Sequence, residues 1–144
     1  MAIKKAFVKQ VYPDSITFAA RTDSNHWIMM DGPEEFGGSN AGIRPKELLL
    51  VAIAGCTGSD VASILAKKRV HLESFELEIT ADETESHPRV FKSMHIEYVF
   101  KGKKISTETV ERAIDLSLKT YCAVTAMFQK AMEVTHSYRI VESE

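Results

Sequence analysis

The stretch RPKELLLVAIAGCT, residues 44–57, decides how this chain folds. Pro45 suits the first turn of a helix, and Glu47 suits the positive end of the helix dipole. These signals, with a cluster of basic residues further along, predict a helix over residues 45–69. Residues 48–56 are apolar on nearly every face, which is typical of a helix that is buried on most sides.

Alternating apolar and polar residues predict six strands around this helix. Three short strands precede it as an antiparallel meander, two follow it, and the last comes after two shorter helices. The predicted strands cover residues 3–11, 16–21, 26–30, 74–82, 90–100 and 134–140. The order βββ-α-ββ-αα-β lacks regular βαβ alternation, so we predict an α+β fold with mainly antiparallel pairing. Ser106 is the expected N-cap of the first short helix, and the second is expected over residues 122–132.

The apolar helix needs more cover than the meander can supply. With 144 residues the chain is expected to form a single domain, residues 1–144. A second sheet or a second subunit is therefore expected to bury the helix. We predict an obligate homodimer on this ground.

Composition and charge exclude several classes of function. The net charge is −2, which gives no indication of a nucleic-acid partner. The first residues lack the long apolar core of a signal peptide. Polar residues at 57–60 interrupt the apolar helix, which we expect to be too short to span a bilayer. We predict a cytoplasmic protein with no nucleic-acid or membrane partner.

Two cysteines, Cys56 and Cys122, are the main candidates for chemistry. Paired cysteines in a reducing compartment more often react than serve as a permanent crosslink. They would then form an attacking and a resolving thiol; the alternative is two small buried hydrophobic residues. Cys122 lies near a helix N-terminus, where we expect free N–H groups and the dipole to lower its pKa.

An attacking Cys56 is expected to need help from a cation. Its apolar surroundings and nearby Asp60 disfavour the thiolate. Arginine keeps its charge when buried. The candidates to supply the charge are Arg21, Arg44, Lys46 and Arg89, and the sequence alone does not choose among them. Glu47 would orient whichever arginine acts; otherwise it is only a carboxylate in the first turn of the helix.

Other motifs are absent from the sequence. Residues 31–44 are rich in glycine but lack the Gly-Lys-Ser/Thr ending of a phosphate loop, so we predict a flexible connection or a lid. There is no Cys-x-x-Cys and no His-x-x-x-His, and the cysteines are 66 positions apart, so we predict no metal site. A Gly-x-Ser-x-Gly elbow is also missing, which disfavours a serine hydrolase.

Two motifs resemble those of a known superfamily. PKELLLVAIAGC, residues 45–56, resembles the Pro-x-Glu-Leu … Gly-Cys signature of the OsmC/Ohr superfamily, the osmotically inducible and organic hydroperoxide resistance proteins. YCAV, residues 121–124, resembles the second signature, usually Cys-Pro-Val-Ser, with Ala123 in place of proline. DGP at 31–33 and PKEL at 45–48 are similar to the YhfA-like branch. The element order, the length and the cysteine spacing match as well.

The resemblance implies a fold and an activity. Members of the superfamily are intertwined homodimers whose long helices cross between two sheets made from both chains. The thiol matching Cys56 reduces organic hydroperoxides through a sulfenic acid, and the one matching Cys122 resolves it as a disulfide. No metal or flavin takes part, and dithiols, notably lipoyl groups, re-reduce the enzyme. The hydroperoxidase branches carry glutamate directly after the proline, where it helps to hold an activating arginine from the N-terminal sheet; here Lys46 takes that place and Glu47 follows. The resemblance therefore implies Arg21 as the first choice for the activating arginine, with Arg44 second.

Three functions therefore compete. The first is a thiol peroxidase that acts on organic hydroperoxides in an oxidative stress response. The second is a dimer without enzymatic activity that binds a small apolar ligand, its thiols inert. The third is a thiol-based sensor of reactive electrophiles. Two properties discriminate among these functions: the distance between the two thiols and the pKa of each thiol.

Overall fold

A computed structural model describes residues 2–144 of the chain. It confirms the predicted α+β class and the order of its main elements. These are β1 (Ala6–Gln10), β2 (Phe18–Thr22), β3 (Trp27–Met30), α1 (Glu47–Lys67), β4 (Ser74–Glu83), β5 (Phe91–Gly102), α2 (Thr107–Leu116), α3 (Ala123–Phe128) and β6 (Glu133–Glu142). A 3-10 turn, Glu34–Phe36, lies between β3 and α1, and a π-helical turn, Ser117–Tyr121, joins α2 to α3.

The described chain divides into two compact units, the first ending at Leu49 and the second covering Leu50–Glu144. The first unit holds the antiparallel meander β1-β2-β3. The second holds the sheet β4-β5-β6 with β5 in the centre. β4 and β5 are antiparallel, but β5 and β6 are parallel. The parallel pair needs a long crossover, which α2 and α3 supply.

One face of α1 forms the core of the second unit. Its buried residues, Ile53, Thr57, Gly58, Val61 and Leu65, recur every three to four positions and so lie on one stripe. The inward face of β5 and the apolar face of α2 pack in the same cluster. The helix is therefore a core element, and its buried stripe fixes where its functional side chains point.

The rest of α1 remains uncovered in the chain. Val51 is 53% exposed and Leu49 is 41% exposed. With 21 residues, α1 is long and apolar enough to cross a membrane by length and composition, a test that core helices of soluble proteins also pass. The prediction that this helix is too short to span a bilayer is therefore wrong, because the helical segment continues through the polar residues at 57–60.

A buried carboxylate organises the segment that follows β3. Asp31 Oδ1 accepts a hydrogen bond from the amide of Gly32 at 2.7 Å. Its Oδ2 accepts from Thr17 Oγ1 at 3.0 Å and from the amides of Ser39 and Ala41 at 3.1 and 3.0 Å. Burial raises the pKa of Asp31, but these hydrogen bonds outweigh it and lower the pKa below its ordinary value. The segment 31–44, predicted as a flexible connection or a lid, is thus fixed by hydrogen bonds from its backbone amides to the Asp31 carboxylate.

Candidate functional site

The fold brings the two cysteines together. Cys56 lies in the middle of α1, and Cys122 lies between the π-helical turn and α3. Their sulfur atoms and a carboxylate oxygen of Asp60 lie within 4.8 Å of one another. Both thiols are free. Two residues that are 66 positions apart in sequence therefore form one dithiol site.

The two thiols differ in their access to solvent. Cys122 is only 3% exposed, whereas Cys56 is half-buried. A small molecule that approaches from solvent therefore reaches Cys56 more easily. Cys122 is the more shielded of the two thiols, and its sulfur lies within 4.8 Å of the Cys56 sulfur.

The environment of Cys122 differs from the prediction. Its sulfur caps α3 and accepts hydrogen bonds from the Oγ1 and the amide of Thr125, at 3.0 and 3.4 Å. Burial raises the pKa of the Cys122 thiol, and the neighbouring Cys56 raises it further, while Thr125 only partly opposes them. The expected lowering of the Cys122 pKa is therefore wrong. The reason is desolvation, since α3 has six residues and its dipole acts on a buried sulfur.

Buried hydroxyl groups connect the site to the sheet. Thr57 Oγ1 lies 2.7 Å from Tyr98 Oη and 2.7 Å from Ser117 Oγ. Ser117 Oγ in turn donates to Asp60 Oδ2 at 2.9 Å. Burial raises the pKa of Tyr98 to about 12, with Thr57 opposing the shift. Each of these buried hydroxyls is thereby hydrogen-bonded, as buried polar groups generally are.

The π-helical turn positions both Ser117 and Cys122. Ser117 begins the turn, and its carbonyl oxygen accepts a hydrogen bond from the amide of Cys122 at 2.8 Å. Such turns occur frequently at functional sites because they change the direction of neighbouring side chains. Sequence reasoning missed the role of Ser117, although a serine that continues the apolar face of α2 into the turn was a usable signal.

The other predicted site residues belong to the first unit. The guanidinium of Arg21 lies 5.6 Å from the ring centres of both Phe7 and Trp27. Glu47 Oε1 accepts a hydrogen bond from the backbone amide of Arg44 at 3.1 Å, so its carboxylate caps the start of α1. The guanidinium of Arg44 donates to the carbonyl of Gly42 at 3.3 Å. The activating roles of these three residues stay predictions.

A cavity of about 340 Å³ lies beside Asp60. It is lined by Asp60, Ser63, Ile64, Lys67, Lys68, Leu116 and Tyr121. More of its exposed wall is apolar than polar, and its lining includes two lysines. The site thus has space for a small organic molecule on the side where the carboxylate lies.

The fold and the site together define an α+β dithiol protein, with one accessible and one buried thiol on packed helices. Residues 37–137 match the family described as OsmC-like protein. The chain belongs to this OsmC-like family, as its two motifs had indicated. It is 36% identical over 131 residues to protein YhfA of Escherichia coli strain K12, with 89% of this chain and 92% of that protein covered.

Solved structures share the fold. A hypothetical protein from Aquifex aeolicus VF5 is 30% identical and superposes with a TM-score of 0.84 over 100% of both chains. An organic hydroperoxide resistance protein from Elizabethkingia anophelis superposes with a TM-score of 0.67 at 12% identity, with 96% of this chain and 98% of that chain covered. The second similarity concerns the fold alone.

Proposed function

We propose that this protein is a cysteine-based peroxidase that reduces organic hydroperoxides. Two free thiols with sulfur atoms within 4.8 Å of each other support this function most directly. The family adds support, since its fold is also that of the Elizabethkingia hydroperoxide resistance protein. The accessible thiol attacks and the buried thiol resolves.

The reaction has two steps at the thiols. The Cys56 thiolate attacks one peroxide oxygen, the O–O bond breaks, and the alcohol leaves after taking up a proton. Cys122 then attacks the sulfur of the resulting sulfenic acid, a disulfide forms, and water leaves. Because a disulfide has an S–S distance of about 2.05 Å, the sulfurs must approach each other for the second step. An external dithiol, such as a lipoyl group, takes the disulfide back to two thiols.

Activation of Cys56 requires a positive charge in this proposal. The ion pairs Lys119–Asp115 and Arg139–Glu97 do not involve Cys56, Asp60 or Cys122. We propose Arg21 as the first source of the charge and Arg44 as the second, with Glu47 holding the arginine. An arginine suits this role because its guanidinium remains charged in every environment.

A homodimer is part of the proposal. Apolar side chains are exposed on both units, with Phe7 at 50%, Trp27 at 55% and Val51 at 53%. Obligate interfaces usually bury more than about 2,000 Å² of such surface. We propose that two chains cover these faces, that residues 1–144 work as one domain, and that the dimer acts in the cytoplasm without nucleic acid or membrane.

One equivalent of cumene hydroperoxide added to the reduced protein tests the function. Mass spectrometry should show the loss of both thiols within one monomer. Cys122→Ser should still undergo one oxidation, which stops at the sulfenic acid, whereas Cys56→Ser should not consume the peroxide. Equal oxidation rates for the wild type and Cys56→Ser would contradict the assignment of Cys56 as the attacking thiol.

The binding module is the second candidate, and the apolar wall of the cavity beside Asp60 favours it. If both thiols persist in the wild type after the peroxide is added, the result favours the binding module over the peroxidase. Light scattering on the same samples reports the oligomeric state, and a folded monomer at micromolar concentration would contradict the dimer.

A further inference from the structure

We propose that the reduced site binds a thiophilic divalent cation of the Zn²⁺ class through Cys56, Asp60 and Cys122. This inference goes beyond the proposed peroxidase, since it needs the same thiols but no turnover. It also revises the expectation, drawn from sequence spacing, that the chain has no metal site.

The positions of the donor atoms support a metal site. The two sulfurs and the carboxylate oxygen lie within 4.8 Å of one another. In a tetrahedral zinc site with bonds of about 2.0–2.3 Å, donor atoms are separated by roughly 3.3–3.8 Å. Small rotations of the side chains would therefore bring the three donors to bonding distance.

The elements that carry the donors also suit a metal. Cys56 and Asp60 are four residues apart on α1, so both lie on one face of the helix, one turn apart. Two ligands at this spacing are a recurring arrangement in helical zinc sites. Cys122 supplies the third donor from the start of α3. Because Cys56 is half-buried, a fourth position stays open to water.

Charge favours the cation as well. A bound cation displaces the thiol protons, so two thiolates and one carboxylate would then bring three negative charges together. Neither of the ion pairs Lys119–Asp115 and Arg139–Glu97 involves any of these three groups. A divalent cation would neutralise most of this charge at the point where the three groups meet.

Neighbouring hydroxyl groups already hold two of the three donors. Ser117 Oγ donates to Asp60 Oδ2 at 2.9 Å, and Thr125 Oγ1 donates to the sulfur of Cys122 at 3.0 Å. Hydrogen bonds of this kind orient metal ligands, and their loss typically lowers metal affinity about 10–100-fold. The site thus has outer hydrogen bonds as well as donors.

A bound cation would compete with an attacking reagent for Cys56. While the thiolate is bound to the metal, it is less available to a hydroperoxide or to an alkylating agent. Zinc would therefore protect the reduced protein, and chelation would return the thiols to their reactive state. This relation can be measured with iodoacetamide, without any enzymatic assay.

Cobalt titration of the full chain tests the site. The protein is reduced, freed of reductant and titrated with Co²⁺ under argon. We expect one Co²⁺ per chain, a thiolate-to-cobalt band in the near ultraviolet, and displacement of the cobalt by Zn²⁺. Asp60→Asn, which still accepts from Ser117, should weaken binding at least about tenfold. The matched control is Asp115→Asn, on α2, where the aspartate forms an ion pair with exposed Lys119.

Three results would overturn the inference. They are the absence of a thiolate band, an unchanged band in Cys122→Ser, and equal affinities in Asp60→Asn and Asp115→Asn. Thermal unfolding of each variant shows whether it is folded. Peroxide consumption is measured separately on metal-free protein, so a failure here leaves the peroxidase standing, and a failed peroxidase assay leaves the metal site standing.

Discussion

Asp31 and Asp60 are used differently in the two units. Asp31 is buried in the first unit and accepts four hydrogen bonds from its surroundings. Asp60 is half-buried in the second unit, accepts one hydrogen bond from Ser117, and lies beside two sulfur atoms. A carboxylate with all its acceptor positions occupied fixes a segment in place, whereas one with free lone pairs remains available to a proton, a cation or a substrate.

The largest expected effect is a difference in stability between variants of the two aspartates. Asp31→Asn replaces an acceptor by an NH₂ group that must face one of the present donors, so a large loss of stability is expected. Asp60→Asn keeps the acceptor for Ser117 and should change the free energy of unfolding by less than about 1 kcal/mol. Urea unfolding of both variants measures the difference. Equal losses would show that the comparison is mistaken.

A smaller loss is expected from Ser117→Ala. Ser117 is fully buried, and its removal takes away one of the two hydrogen bonds of Thr57 and the hydrogen bond that Ser117 donates to Asp60. Loss of a buried hydrogen-bond partner costs about 1–3 kcal/mol. Ser59→Ala, at an exposed position on α1, serves as the control and should stay within about 0.5 kcal/mol of the wild type. If the two serine variants are equally stable, the buried hydroxyls contribute nothing measurable.

The contribution of Asp31 to stability should depend on pH. Its pKa is lower in the folded protein than in the unfolded chain, so its contribution to stability is present above the ordinary carboxyl pKa of about 3.9. This contribution is lost as the pH falls through the folded pKa. The urea midpoint of the wild type should therefore approach that of Asp31→Asn in acid. A constant difference between the two midpoints across this range would contradict the prediction.

The smallest effect concerns the rate at which Cys122 reacts. Its raised pKa keeps the thiol protonated at neutral pH, so alkylation by iodoacetamide in Cys56→Ser should be slow there. The rate should keep rising above the free-thiol pKa of about 8.5. Adding Thr125→Val removes the hydroxyl that donates to the sulfur and should slow alkylation at a given pH. A rate that is already constant at neutral pH would mean that the thiolate is not disfavoured.

The order of elements was predictable from sequence because its signals are local. Ser106, for example, caps α2 as predicted, with its Oγ accepting from the amide of Thr109. The parallel pairing of β5 with β6 was not predictable, since it depends on the path of two helices between them.

The chemistry of the site was predictable only in part. Sequence motifs identified the two thiols. They did not show that Asp60 lies beside the sulfurs or that Ser117 donates to Asp60, because both depend on how α1 packs against the π-helical turn. The expected pKa shift of Cys122 had the wrong sign, because desolvation is a property of the packed core.

The row of hydroxyls between the sheet and α1 has a direction. Each hydroxyl carries one proton, and Ser117 donates its proton in the hydrogen bond to Asp60. Ser117 must then accept from Thr57, and Thr57 must accept from Tyr98. All three O–H dipoles therefore point toward the carboxylate of Asp60. The orientation of a phenol proton on β5 is set in this way by an acceptor three hydrogen bonds away.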